Sequence, residues 1–178
     1  ACHHWSLAVK ALAEVAEKGN ERAITGVCAR LENADSYVRE AAVKALAEAL
    51  AKVAEKGNER AITGVCARLE NADSDIREVA VKALAEVAEK GNERAITGLC
   101  ARLEDADEDV RYAAVEALPQ LAEKGDERAI AAVCARLEDA ESFVRVAAMK
   151  VLPQVAERGN GRAIAAVCAR LEHADPDV

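Results

Sequence analysis

The chain has 178 residues and a formal net charge of −8, and aromatic residues make up only 2% of it. This acidic balance argues against a nucleic-acid partner, because affinity for phosphates comes mainly from clustered lysine and arginine. No apolar run of 18 residues occurs and no signal peptide is visible, so the sequence predicts neither a membrane span nor secretion.

One helix-pair unit repeats along the chain. Residues 15–36 recur letter for letter at 53–74. The marker Lys-Gly-Asn-Glu-Arg, or a close variant, follows the same period, with intervals of 34 residues after a first interval of 38. A fixed period in this range predicts a solenoid. We expect a single array over 1–178, with approximate units 1–34, 35–72, 73–106, 107–140 and 141–178.

The unit from Asp107 to Leu137 shows the local pattern. Asp107 precedes an apolar-periodic run and is a candidate N-cap for a first helix, helix A, which we expect to continue through Lys124. Gly125 is predicted to stop that helix, and Asp126 to cap a second one, helix B, over 128–137. Two helices joined by so short a turn must lie antiparallel. The positions predicted to face inward are Val110, Ala114, Ala117, Leu118, Leu121, Ile130, Val133 and Leu137.

Five of the six cysteines occupy one equivalent position in helix B. Equivalent positions in stacked helices lie about 8–10 Å apart, whereas a disulfide needs Cα atoms within about 7 Å. We therefore expect apolar thiols that do not pair, and an intracellular, cytoplasmic protein. These residues are Cys28, Cys66, Cys100, Cys134 and Cys168.

The string Asp-x-Asp-Val-Arg-x-Ala-Ala-Val-x-Ala-Leu, followed by Gly-Asp-Glu-Arg-Ala-Ile over 107–130, resembles HEAT-like repeats. It is most similar to the short subclass of phycobilin-lyase-type proteins and to engineered consensus arrays built from them. The resemblance implies an all-α fold, a right-handed α-solenoid of about five two-helix repeats. It also implies a polar ladder near the start of helix A, formed by Asp35, Asp73, Asp107, Asp175, Arg39, Arg77, Arg111 and Arg145.

The resemblance further implies that the B helices line an inner, concave face. Projection at 100° per residue places an arginine row, a Gly/Ala floor and an alanine row opposite the core, with Asn71, Asp105 and Asp139 along the other edge. Such a floor can admit a peptide or a helix closely. The arginines could meet carboxylates on a partner, or form an intramolecular ladder with neighbouring acids. The candidate partner-binding residues are Arg60, Gly64, Ala67, Arg94, Gly98, Ala101, Arg128, Ala132 and Ala135.

A second candidate surface lies on the A-helix side. Tyr112, Phe143 and Val146 bring apolar groups together where earlier repeats carry charge. An exposed apolar cluster can mark an interaction site, although single exposed apolar residues are normal.

The composition offers no catalytic constellation. Histidine is limited to His3, His4 and His173, so no Ser/His/Asp or Cys/His arrangement can form within the repeats. We predict a non-catalytic protein–protein interaction scaffold without cofactor or metal, binding a protein or peptide on the concave face. Two alternatives stay open: an engineered or consensus array without a natural partner, and, by resemblance alone, a chromophore-lyase-like enzyme. Neither end carries a polar cap, which also predicts end-to-end self-association.

Overall fold

The computed structural model describes residues 11–32, 48–50, 52 and 54–172. Within these ranges every regular element is a helix and no strand occurs. Residues 11–15 and 48–50 are helical as well. The longer elements are α1 (Glu21–Glu32), α2 (Glu59–Cys66), α3 (Ser74–Val87), α4 (Glu93–Arg102), α5 (Glu108–Leu121), α6 (Glu127–Ala135), a 3₁₀ helix (Arg136–Glu138), α7 (Ser142–Val155) and α8 (Gly161–Glu172).

Short polar side chains start most of these helices. In the B helices α1, α2, α4, α6 and α8, an Asn or Asp side chain accepts a hydrogen bond from the backbone N–H three residues on, at 3.0–3.2 Å. Asp107 caps the A helix α5 in the same manner, so the predicted caps Asp107 and Asp126 are confirmed. Such a cap contributes about 1 kcal/mol. Glu141, which precedes the A helix α7, makes no cap bond.

The turn between the two helices of a repeat differs from the prediction. Helix α5 ends at Leu121 rather than Lys124, because Ala122 adopts an extended backbone with ψ 137°. Gly125 lies further along the turn, at φ +95°, where a side chain would be strained. Its N–H donates to the carbonyl of Val155 in the next repeat, at 2.7 Å. The glycine therefore links one repeat to the next through its N–H as well as forming part of the turn between the two helices of its own repeat.

The chain divides into two compact units, residues 1–89 (unit 1) and 90–178 (unit 2). The boundary falls between α3 and α4, inside the predicted repeat 73–106. The single array over 1–178 stays a prediction, as does the right-handed sense.

In unit 1 the B helices stack on one another. Helix α1 contacts α2, and α2 contacts the A helix α3. Ile24, Ile62 and Leu84 are fully buried. Burying such a side chain stabilises the fold by about 1.5–3 kcal/mol, so these contacts hold the stack together.

Unit 2 shows two layers. The A helices α5 and α7 pack together, while the B helix α6 contacts α4 on one side and α8 on the other. Helix α4 also contacts α5, and α6 contacts α7, which joins the layers. All the positions predicted to face inward are buried, at 0–4% exposure. Each repeat thus buries its apolar face against its neighbours, as in a solenoid.

Candidate functional site

Three of the candidate partner-binding residues lie together in unit 1. Arg60, Gly64 and Ala67 of α2 and its C-terminus line a cavity of about 480 Å³ between the B helices α1 and α2. We call this cavity the unit 1 groove. The arginine and the alanine are exposed, and the glycine is buried. The other lining residues are Thr25, Cys28, Glu59 and Thr63.

Gly64 allows α1 and α2 to pack closely at Cys28. A Cβ atom placed on Gly64 would lie 2.8 Å from Sγ and 3.3 Å from Cβ of Cys28. The Cys28 thiol in turn lies 3.9 Å from the carbonyl oxygen of Arg60, in hydrogen-bonding geometry. Gly64 thus serves the packing of the two helices, and the surface open to a partner is formed by the residues around it.

In unit 2 the equivalent surface is more apolar. Ala131 and Ala132 stand where α2 carries Thr63 and Gly64, and both are half-buried. Gly98 is half-buried too. The remaining candidates of this unit are exposed: Arg94, Ala101, Arg128 and Ala135.

The arginine row forms ion pairs between successive B helices. Nε of Arg60 lies 3.4 Å from the carboxylate of Glu21, and its Nη1 donates to the hydroxyl of Thr25 at 2.9 Å. In unit 2, Arg128 meets Glu93 at 2.7 Å, and Arg162 meets Glu127 at 3.7 Å. The intramolecular ladder weighed for this row is therefore present. These side chains are half-exposed or more, so each pair contributes little to stability.

The resemblance implied a second ladder, between arginines and the aspartates near the start of helix A. For Arg111 the carboxylate partner was predicted wrongly. Arg111 donates from Nε and Nη2 to the two carboxylate oxygens of Asp139, both at 2.9 Å, rather than to Asp107. Asp139 was predicted to edge the groove, but it is only 7% exposed. Nη1 of Arg136 adds a contact of 3.3 Å. Asp35, Arg39 and Asp175 lie outside the described residues.

The position of Asp139 in the sequence could have identified it as a turn residue. Asp105 and Asp139 each stand two residues before the residue that precedes an A helix, and each accepts from the N–H at that position, at 3.0 and 3.1 Å. Asn71 makes the same bond to Asp73. An Asx residue that bonds the backbone two residues on forms an Asx turn, so the Asx-Ala-acid spacing marks a local turn residue rather than a groove edge.

Two thiols of the cysteine row, those of Cys100 and Cys134, are poor nucleophiles. Burial raises the pKa of Cys100, which the nearby Asp126 raises further and Arg128 lowers. Burial also raises the pKa of Cys134. Since the thiolate is the reactive form, these residues act as small apolar side chains. Among the described residues no disulfide joins Cys28, Cys66, Cys100, Cys134 or Cys168; the last is exposed rather than buried.

The described ranges hold no group of three metal-binding side chains, and none of their helices is long and apolar enough to cross a membrane. All three histidines, at 3, 4 and 173, lie outside these ranges. The candidate site in the described residues is therefore the B-helix surface with the unit 1 groove.

A family model for HEAT repeats matches residues 3–85, 47–119 and 96–178. The chain belongs to the HEAT-repeat family. Among solved structures, it is similar to "Designed armadillo repeat protein YIII(Dq.V1)4CPAF in complex with peptide (KR)4", with 21% identity and a TM-score of 0.62. That match covers 96% of this chain and 86% of the designed protein. No curated protein matches significantly. The expected all-α solenoid of HEAT-like repeats is confirmed.

Proposed function

We propose that this HEAT-repeat protein is a non-catalytic scaffold that binds a peptide or a helix on its B-helix face. The observation that carries the proposal is the unit 1 groove, because three residues selected from the sequence for this role line one cavity. The designed armadillo neighbour holds a peptide. A helical-repeat fold is therefore compatible with that use, although fold alone does not assign function.

The chemistry of the unit 1 groove suits a peptide main chain. Thr25, Thr63 and Arg60 line the groove together with the small side chain of Ala67. A guanidinium has five N–H donors, and the ion pair with Glu21 and the bond to Thr25 engage two of its nitrogens. The ladder holds Arg60 in place, which lowers the entropy lost when a partner binds. A few fixed polar groups on a small-residue surface orient a ligand.

The B-helix face of unit 2 is proposed to take a different part of the partner. Alanines replace threonine and glycine at 131 and 132, so this surface offers apolar contact and fewer hydroxyls. Apolar side chains of a bound segment fit there, whereas the unit 1 groove fits its polar main chain.

The test is a selection from a display library of random peptides against three proteins. The groove variant carries Ala67→Arg, Ala101→Arg and Ala135→Arg. The control variant carries Ala72→Arg, Ala106→Arg and Ala140→Arg, which place the same three charges at exposed loop positions outside the B helices. Circular dichroism first verifies that both variants keep the parent's helix content.

We expect peptides that bind the parent and the control variant and lose affinity for the groove variant by at least about tenfold, the equivalent of 1.4 kcal/mol. Equal binding to all three proteins would place the site elsewhere. A failure to select any peptide would favour the alternative of a consensus array without a natural partner.

A further inference from the structure

Two of the chain's four aromatic residues form an exposed pair in unit 2. The ring centroids of Tyr112 in α5 and Phe143 in α7 lie 5.6 Å apart at an interplanar angle of 59°. Tyr112 is 40% exposed, Phe143 38% and Val146 44%. We call these three residues the Tyr112 patch. It lies on A helices, away from the B-helix face.

The repeat fold does not require apolar residues at these positions. At the place of Tyr112, repeat 3 carries Glu78, and at the place of Phe143, repeats 3 and 4 carry Asp75 and Asp109. The buried positions around them keep their apolar character in α3, α5 and α7. The patch is therefore a departure from repeat 3, which is acidic at both positions; repeat 1 carries Ser6 at the Tyr112 position and repeat 2 carries Tyr37 at the Phe143 position.

Acidic side chains surround the Tyr112 patch. On α5, Glu108 and Asp109 lie four and three residues before Tyr112, and Glu116 lies four residues after it. All three therefore share its helix face. Glu141 precedes α7 beside Phe143. All four are exposed, and the exposed Lys150, four residues after Val146, is the one basic side chain at a matching position on α7.

The two arginines nearest the patch in sequence are turned away from it. Arg111 is bound to the Asp139 carboxylate, and its Nη1 donates to the carbonyl of Asp105 at 3.0 Å. Nη1 of Arg145 donates to the carbonyls of Asp139 and Ala140, both at 2.8 Å. These bonds hold both guanidinium groups in place. Arg111 also interacts electrostatically with Glu108 and Glu141, and the four exposed acids outnumber the exposed Lys150 at positions next to the two rings.

We propose that the Tyr112 patch is a docking site for a protein segment that carries an apolar or aromatic residue between lysines or arginines. Aromatic side chains supply much of the energy at protein interfaces, and the ring faces also attract cations. Complementary charge at the rim speeds association and selects the partner. This surface is separate from the B-helix groove.

Three synthetic peptides test the proposal by fluorescence anisotropy with the full chain. The probe is Lys-Lys-Leu-Trp-Lys-Lys, and the comparison peptides are Glu-Glu-Leu-Trp-Glu-Glu and Lys-Lys-Ser-Ser-Lys-Lys. We expect measurable binding of the probe alone, weakening as salt is raised because the acidic rim is screened. Binding of the acidic peptide as tightly as the probe would overturn the charge argument.

Matched variants locate the site. The double variant Tyr112→Ser and Phe143→Ser is expected to weaken probe binding by about tenfold or more; repeat 1 carries serine at the Tyr112 position. The pair Glu108→Gln and Glu116→Gln leaves the rings in place and is expected to reduce the salt dependence.

The control double variant, Gln120→Ser and Gln154→Ser, shortens two exposed polar side chains of the same helices α5 and α7 and should bind the probe like the parent. Unchanged binding by the Tyr112/Phe143 variant, or an equal loss in the control, would overturn the proposal. Loss only in the groove variant with Ala67→Arg would overturn it too, and would assign the probe to the B-helix face.

Discussion

The Asp139 carboxylate ties the loop after α6 to the start of α5, within one repeat of unit 2. The Asp139 side chain is 2% exposed, and its carboxylate accepts hydrogen bonds from Arg111, from Arg136 and from the backbone N–H of Glu141. Burial by itself raises the pKa of Asp139, but the hydrogen bonds from Arg111 and Glu141 and the charges of Arg111 and Arg136 lower it below its ordinary value. The carboxylate is therefore ionised in the fold at neutral pH and holds the loop after α6 against the start of α5.

Asp139→Asn is expected to destabilise unit 2 by about 1–3 kcal/mol at neutral pH, because a charged hydrogen-bond acceptor is lost from a buried site. Since the folded-state pKa is lowered, the stabilisation is present above the unfolded value of about 3.9 and is lost as pH falls through the folded value. The loss in free energy of unfolding of the variant relative to the parent, measured by urea unfolding, should therefore be largest at about pH 7 and smaller at about pH 3.

Glu138→Gln is the matched control, since the same chemical change falls on an exposed neighbour. It should shift the unfolding midpoint little at either pH. A deficit of Asp139→Asn that is equal at both pH values would contradict the role of the ionised carboxylate.

At the scale of single residues, helix N-caps can be predicted from the sequence more reliably than ion pairs between distant residues. A cap depends on residues within three positions of one another, so Asp107 and Asp126 could be identified directly. The partner of Arg111 lies 28 residues away, and only the way the two helices of the repeat and the loop after them pack decides between Asp107 and Asp139.

The B helices α1 and α2 pack together at one glycine and one cysteine. Gly64 of α2 meets Cys28 of α1, whereas Gly26, at the equivalent position of α1, has nothing within 4 Å of an added Cβ atom. One sequence position thus has two environments, set only by whether a preceding helix covers it.

The two glycines should respond in opposite directions to alanine. Gly26→Ala is expected to stabilise the protein by about 0.5–1 kcal/mol, because glycine in a helix interior is unfavourable and space is available. Gly64→Ala is expected to destabilise it, because the new methyl group overlaps Sγ of Cys28. Urea unfolding of both variants provides the measurement.

The double variant Gly64→Ala with Cys28→Ala gives the critical comparison. Removing Sγ opens the contact, so Gly64→Ala should be tolerated in the Cys28→Ala background, with a coupling energy of about 1 kcal/mol. Additive effects of the two substitutions would show that the glycine and the cysteine do not interlock.

Helix existence and the inward faces were predictable because they depend on a repeated apolar period. The ends of the A helices were not, since the extended residues before Gly125 are stabilised by a hydrogen bond to the next repeat. The chemistry of the unit 1 groove was partly predictable. Projection of the helix identified which side chains face away from the core, but it did not show that Gly64 packs against Cys28.

At the scale of the whole molecule, apolar side chains near the first and last described helices are exposed although their equivalents elsewhere are buried. Ile164 is 54% exposed and Leu171 79%, while their equivalents Ile130 and Leu137 are at most 1% exposed. Val15 is 83% exposed, whereas its equivalent Val87 is 1% exposed. These are the positions that pack one repeat on the next elsewhere in the chain. The end-to-end self-association expected from the sequence stays a prediction, and these residues make it testable.

Analytical ultracentrifugation of Val15→Asp and Ile164→Asp tests that prediction. We expect the parent to associate in a concentration-dependent manner and each variant alone to be monomeric. An equimolar mixture should form dimers, because each variant keeps the face that the other lacks. A monomeric parent, or a mixture that stays monomeric, would show that these faces do not join copies.

Hydrogen exchange of the parent with its tightest selected peptide tests the central claim most directly, because it reports where a ligand lies without a substitution. Binding on the B-helix face predicts slowed exchange in α2, α4 and α6, with the A helices α3, α5 and α7 unchanged. Protection confined to the A helices, with the B helices exchanging as in the unbound protein, would contradict the account.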